Sequence, residues 1–381
     1  MIDKPLEGLL VLDFSQFLSG PSAGLRLADL GARVIKVEKR DEGDICRTLY
    51  ISNLKIDGDS SLFHAINRNK ESFAADLKNA DDYSQVVQLI ERADVLIQNF
   101  RPGVMKRLQL DYETVKSINP RLIYGEITGY GHSGPWTHKP GQDLLVQAVS
   151  GLPYLNGNQH QPPVPFGLSI SDMAAGAHLA QGILAALVQR GRTGQGAHVE
   201  VNLLESVLDF QFELLTQFLN DGGQLPVRSA VNNANAYISA PYGIYETQDG
   251  YLAIAMAPLD TLAQLLECPA LEPYCSAEVA HEKRDEIKQI LVDHLQQKKT
   301  KQWLAVLEPA DIWCADVFNW NRLIEHAGFK VLDMVMEVKR ENGTMIRTVR
   351  CPIRIDGQRL KSSQGSPMIG EHNALIEREF F

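Results

Sequence analysis

Short apolar runs alternate with amphipathic stretches through the first half of the chain. GLLVLD (8–13) is an apolar run ending in an acid, the pattern of a buried strand. FSQFLSGP (14–21) turns, and SAGLRLADLGA (22–32) carries apolar residues at helical spacing, with Gly31 ending the helix. ARVIKVE (32–38) is a second strand, so this segment predicts a β-α-β unit and a parallel sheet. DYSQVVQLIERA (82–93) reads as an amphipathic helix, and DVLIQNF (94–100) and RLIYGEITGYG (121–131) as further strands. DLLVQAVSGL (143–152) has helical spacing. Phe166 to Leu187 reads as a short apolar strand, a turn, and a long helix of small residues ending at Gln189–Arg190, with Gly191 as its C-cap. GRTGQGAHVEVNLLES (191–206) adds a turn, a strand and the start of another helix.

The pattern changes at 219–235, which is polar, rich in turn formers and predicts an interdomain linker. YGIYETQDGYLAIAM (242–256) is a β-hairpin turning at Asp249–Gly250. Helical segments follow, one of them N-capped by Thr300, and a second hairpin spans 330–355. The fold class is therefore α/β: a large domain over 1–218 with a parallel sheet, a linker at 219–240, and a smaller α+β domain over 241–329. The hairpin and return linker at 330–355 lead into a C-terminal return over 356–381.

Composition narrows the function classes. A chain of 381 residues with 44% hydrophobic and 22% charged residues has ample material for a core. A net charge of −10 argues against a nucleic-acid partner, which needs a basic footprint. No apolar run is long enough for a membrane span, and the N-terminus lacks the apolar core of a signal peptide. Five scattered cysteines without a C-x-x-C argue against disulfides and a cysteine-based zinc site. The histidines are dispersed too, so no metal is expected, and the location expected is the cytoplasm.

Two features carry candidate chemistry. Asp172 falls at the predicted entry to the long helix. An Asp there is a favoured N-cap, but a carboxylate can also act as a nucleophile toward an activated acyl group, and position alone leaves both readings open. Basic residues recur beyond the strand ends: Lys39, Arg40, Arg101, Lys106 and Arg107. Ligands of open α/β sheets bind there, and as a set these cations suit a phosphate-bearing ligand. Glu38 ends its strand where a ribose-binding acid of a dinucleotide fold would fall, but S-G-P-S-A-G lacks the G-x-G-x-x-G pattern. Pro21 also removes a backbone N–H that a pyrophosphate would use.

Several motifs in order resemble the class III coenzyme A transferases, a group that includes formyl-CoA transferase, carnitine CoA-transferase and α-methylacyl-CoA racemase. They are LEGLLVLDFS with GP (6–21), LADLGARVIKVE (27–38), GDxxR (43–47), NFRPG (99–103), GYGxSGP (129–135), QAVSGL (147–152), SDMAAG (171–176) and RxGQGAHVEV (192–201). The resemblance implies a Rossmann-like CoA-binding domain in an interlocked homodimer. It implies Asp172 as the nucleophile, forming covalent aspartyl intermediates, with Asp143 as an acidic neighbour. Gln16, Lys39, Asn99, Phe100 and Arg107 are implied to contact coenzyme A. CoA enters as a substrate with a small carboxylic acid, and no permanently bound cofactor is implied.

Two departures shape the reading. The racemase branch carries G-H-D where this chain has Gly141-Gln142-Asp143, and glutamine does not shuttle protons at neutral pH. The formyl and oxalyl enzymes carry a glycine run where this chain has Asn232 to Tyr237, and a glutamine where it has Leu18. A larger or less charged acid than oxalate or formate is therefore expected. The alternatives are an acyl-CoA racemase or isomerase of the same family, and a non-catalytic CoA-binding protein in which Asp172 only caps a helix.

Overall fold

The computed structural model describes residues 4–49 and 53–381. It divides into two compact units, one of Met1–Val146, Ser169–Phe210 and Val331–Phe381, the other of Gln147–Leu168 and Gln211–Lys330.

The first unit is built on six strands: β1 (Leu10–Asp13), β2 (Arg33–Glu38), β3 (Glu71–Ala74), β4 (Val95–Gln98), β5 (Ile123–Thr128) and β6 (Ala197–Asn202). All pair in parallel, in the order β3-β2-β1-β4-β5-β6. The chain first builds outward from β1 through β2 to β3, then returns to the other side of β1 with β4. That reversal opens a crevice beyond the carboxyl ends of β1 and β4. The strands are apolar because both faces are covered: Leu12, Ile35, Leu96 and Ile97 have no solvent exposure. The C-terminal helix Asn373–Phe380 inserts Ile376 and Phe380 into this core. Asn373 pairs with the backbone of Ala74 through both side-chain atoms, at 2.9 and 3.0 Å, so the edge strand β3 is covered.

Three helices of this unit bear on the site: α1 (Ser19–Asp29), α2, which begins at Asp143 and runs to Ser150, and α3 (Ile170–Thr193). The α3 face toward the protein is small: Ala174, Ala175, Gly176 and Ala180 are buried. A Cβ at Gly176 would fall 2.1 Å from Ser22 Oγ and 2.6 Å from the Ser19 carbonyl, so α1 and α3 touch backbone to backbone. A Cβ at Gly125 would meet Leu179 and Ile183 at 3.1 Å, which seats α3 closely on β5.

The sequence also misplaces some boundaries. Residues 166–169 form no strand; α3 starts at Ile170 and ends at Thr193, with Gly194 in the left-handed C-cap. Phe166 to Ile170 is too short an apolar run for periodicity to separate strand from helix. Thr300 lies inside its helix, after the N-cap Lys299, and its hydroxyl bonds Thr247 at 2.7 Å. The late hairpin is narrower than 330–355, with strands Val335–Lys339 and Met345–Val349, because Ala327–Leu332 is helical. It belongs to the first unit.

In the second unit, Gly243–Glu246, Tyr251–Ile254 and Cys314–Asp316 form a three-stranded antiparallel sheet. Its core includes Tyr245, Leu252, Leu291 and Trp303, whose indole N–H donates to the Leu295 carbonyl at 2.8 Å. The stretch expected as a linker is pinned. The Arg228 guanidinium donates to the carbonyls of Asn156, Gln159 and Gln161, and Asn233 Nδ2 donates to the Leu155 carbonyl at 3.1 Å. Arg284 in turn donates to the carbonyls of Ala236 and Val227 at 2.7 and 2.8 Å, so residues 147–168 and 211–240 group with 241–330.

Candidate active site

Buried charge shapes the turn that follows β1. Asp13 and Lys70, both without exposure, pair at 2.8 Å, and Lys70 also donates to the Pro21 carbonyl at 2.9 Å. Lys36 pairs with Asp44 at 2.7 Å and donates to the Ser15 carbonyl at 2.8 Å. Asp13 accepts the Ser15 N–H at 3.0 Å. Burial works against the Lys70 ammonium more strongly than Asp13 supports it, and pushes it down to about 8. Together these charges fix the course of residues 15–21. Glu38, the candidate ribose-binding acid, is closed off: it accepts from Arg47 at 2.6 and 2.9 Å, from the Asp44 N–H at 2.9 Å and from Ser72 at 2.6 Å. The dinucleotide reading therefore loses its acid, and the GDxxR segment has a structural use.

Asn99, just beyond β4, accepts from the Gln16 N–H at 2.7 Å and donates to the Gln16 carbonyl at 2.6 Å. Its amide also lies 3.4 Å from Ser19 Oγ. Ser19, the first residue of α1, faces the Asp172 side chain and favours its charged form. Thus Gln16 and Asn99 meet in the crevice between β1 and β4 and connect through Ser19 to Asp172.

Asp172 is not an N-cap. Ser169 holds that position, and Asp172 lies within the first turn of α3. Another acid serves the start of α3: Asp143 Oδ1 accepts the Ser171 N–H at 2.8 Å. Burial and then the charge of Asp143 push the Asp172 carboxyl up to about 7, against the Ser19 hydrogen bond. Asp172 is therefore a partly desolvated carboxyl in the first turn of α3, with a perturbed pKa of the kind found at functional sites. Ser19 was missed by the sequence reading because a lone serine in a turn carries no signal. Its role comes from the close approach of α1 and α3 at Gly176.

The raised carboxyl makes a stability prediction. Folded Asp172 keeps its proton to about 7, while the unfolded side chain loses it near 3.8. Its contribution is fully present below the unfolded value and is lost as the pH rises through the folded one. Asp172→Asn removes that loss. At pH 8 the variant is expected to gain ~1–2 kcal/mol after allowance for solvent screening, and the gain should vanish near pH 4. Calorimetric melting at both pH values checks this, and equal Tm differences at both would refute it.

The remaining residues implied for CoA are more dispersed. Phe100 lines a cleft of about 320 Å³ at the ends of β4 and β5, together with Arg101, Lys106 and Tyr112. Neither Arg107 nor Asp172 lines it. Arg107 is exposed on the short helix Val104–Arg107, and Lys39 is exposed and paired with Glu42 at 3.1 Å. Arg40 pairs with Asp82 at 2.6 Å. Among the described residues no helix is long and apolar enough to cross a membrane.

Comparison with known proteins bears on this geometry. The model of CoA-transferase family III matches residues 6–373. Succinyl-CoA:glutarate CoA-transferase of Mus musculus is 31% identical over 383 residues, covering 99% of this chain and 86% of that protein. Acetyl-CoA:oxalate CoA-transferase of Acetobacter aceti is 33% identical over 387 residues, covering 99% and 96%. A crystal structure of a CAIB/BAIF family protein from Brucella suis superposes with a TM-score of 0.87 at 31% identity, covering all of both chains.

Proposed function

Because this chain belongs to CoA-transferase family III, we propose that it moves coenzyme A from an acyl-CoA donor to a carboxylic acid acceptor through covalent intermediates on Asp172. The observation that carries the reading is the Asp172 carboxyl itself, in the first turn of α3 rather than at its N-cap, facing Ser19 and raised by burial and by the charge of Asp143.

The steps balance without ATP or an external oxidant. A carboxylate oxygen of Asp172 attacks the thioester carbonyl, the C–S bond breaks, and CoA thiolate leaves a mixed anhydride. The thiolate then attacks the aspartyl carbonyl, the C–O bond breaks, and the donor acid departs as its carboxylate. The resulting aspartyl-CoA thioester is attacked by the acceptor carboxylate, and CoA thiolate leaves once more. Attack of that thiolate on the acceptor acyl carbon gives the new thioester and restores Asp172. One thioester replaces another, so the protein supplies position and a desolvated nucleophile. Ionised Asp172 is the reactive form, so kcat is expected to rise with pH through about 7.

Gln16 and Asn99 shape the crevice next to Ser19, while Phe100, Lys39 and Arg107 are read as contacts for the CoA adenine and phosphates. Of the acids, glutarate and oxalate deserve the first trials, since they occur in the names of the relatives. The departures at Leu18 and Asn232–Tyr237 favour the longer one. An interlocked homodimer belongs to the same reading. It would cover Phe212 and Leu219, which are 68% and 69% exposed in the single chain.

The test is transfer from succinyl-CoA or acetyl-CoA to a panel of acids, followed by chromatography of the acyl-CoAs. New acyl-CoA matching an added acid is the expected product. Thioester hydrolysis alone, or loss of the substrate's α-proton in D2O without transfer, would overturn the proposal. Lys39→Ala and Arg107→Ala should each raise KM for acyl-CoA by about five- to tenfold, with kcat little changed. An unchanged KM would remove that residue from the site.

A further inference from the structure

The pairing of β5 with β6 assembles a group of side chains that the transfer chemistry does not use. The register sets Glu126 beside Glu200, and Tyr124 beside His198 two residues earlier. Two carboxylates at directly paired positions repel, so a cation is wanted between them. His132, from the loop after β5, supplies a nitrogen there. Its Nε2 contacts Glu126 Oε1 and lies 3.8 Å from Glu200 Oε1. One ligand atom each from Glu126, His132 and Glu200 fall within 4.8 Å of one another.

His198 faces the same group. Its Nε2 is 3.4 Å from Glu126 Oε1, yet it is shielded from solvent and has no hydrogen-bond partner. The ring is held by stacking on Tyr112, with centroids 4.4 Å apart and planes at 14°. Gln98 donates to the other Glu126 oxygen at 2.7 Å, which leaves Oε1 facing the two imidazoles. An ion pair of His132 with Glu126 would satisfy one imidazole and leave the shielded His198 nitrogen with only a long, poorly aligned approach to the same oxygen.

We propose that Glu126, His132 and Glu200, with the His198 imidazole beside Glu126, bind one divalent transition-metal ion of the zinc class. Mixed imidazole and carboxylate donors select a borderline ion over magnesium or calcium, which prefer oxygen alone. Ligand atoms about 2.0–2.2 Å from such an ion sit roughly 3.3–3.5 Å apart, and those of Glu126, His132 and Glu200, all within 4.8 Å of one another, need a modest closing movement to reach that spacing. The His132–Glu126 contact opens slightly to admit the ion. The ion would tie the loop carrying His132 to the sheet in the wall of the same cleft that Phe100 and Lys106 line. It is a positioning centre and takes no part in acyl transfer. The sequence reading expected no metal because the ligands are far apart in the chain and meet only through strand register.

The test uses full-length protein stripped with a chelator, titrated with zinc chloride by calorimetry and, in parallel, with magnesium chloride. One zinc per chain is expected, with a rise in Tm and much weaker magnesium binding. His132 and Glu200 have side chains 46% and 58% exposed, so both sites tolerate substitution. His132→Ala and Glu200→Gln should each weaken zinc binding at least about tenfold and shrink the Tm rise, with circular dichroism unchanged. No zinc binding, zinc bound equally well by both variants, or magnesium bound as tightly as zinc would each overturn the proposal.

Discussion

Asp172→Asn is expected to leave a folded protein that binds acyl-CoA and no longer transfers CoA. Asparagine matches aspartate in shape, so the packing of α3 against α1 at Gly176 is retained. What disappears is the carboxylate proposed to form both covalent intermediates. Removing a nucleophile from a covalent pathway costs on the order of 10^4-fold or more in kcat, with a small change in substrate affinity. Asp172→Ala gives the same loss and guards against slow deamidation restoring the acid. Stopped assays with succinyl-CoA, together with CoA affinity by calorimetry, measure both halves. A variant retaining activity within tenfold of the parent would assign the chemistry to another group. A variant that unfolds would return Asp172 to a structural role.

The largest stability effect is expected at Arg47. Its guanidinium makes two bonds to Glu38 at 2.6 and 2.9 Å, one to Asp59 at 3.0 Å and one to the Pro367 carbonyl at 3.1 Å, and it stacks 3.8 Å over the Phe63 ring. Glu38 is buried at the end of β2. Arg47→Met keeps the apolar contact with Phe63 and strands the Glu38 charge, an error worth ~3–5 kcal/mol. Adding Glu38→Gln removes the stranded charge, so the double variant should recover part of the loss. Urea unfolding of the two singles and the double gives the coupling. A loss below ~1 kcal/mol for Arg47→Met, or additive losses in the double, would show that the pair carries little.

Much of the large domain was legible because its strands are apolar runs with turn signals at their ends. GLLVLD, RVIKVE and DVLIQNF each name a strand without help from distant residues. The site was legible only in part. Asp172 could be singled out by residue type and place, but the acid whose charge raises it, Asp143, lies 29 residues earlier in the chain. Lys36 and Lys70 would be read as surface charge by composition, yet both are fully buried, because Asp44 and Asp13 meet them from other segments. The group around Glu126 and His198 was invisible for the same reason: only the β5–β6 register brings it together. The stretch at 219–240 looked like a linker because its polar residues were taken as solvated, whereas Arg228 and Asn233 spend their donors on the carbonyls of 155–161.

The most direct test of the account is to trap the intermediate. Protein incubated with acyl-CoA, quenched with hydroxylamine and digested should yield a hydroxamate on the Asp172 side chain, identified by peptide mass spectrometry. The account predicts that adduct in the parent and none in Asp172→Asn. Transfer that proceeds with no adduct on the Asp172 peptide, or with the adduct on another residue, would contradict it.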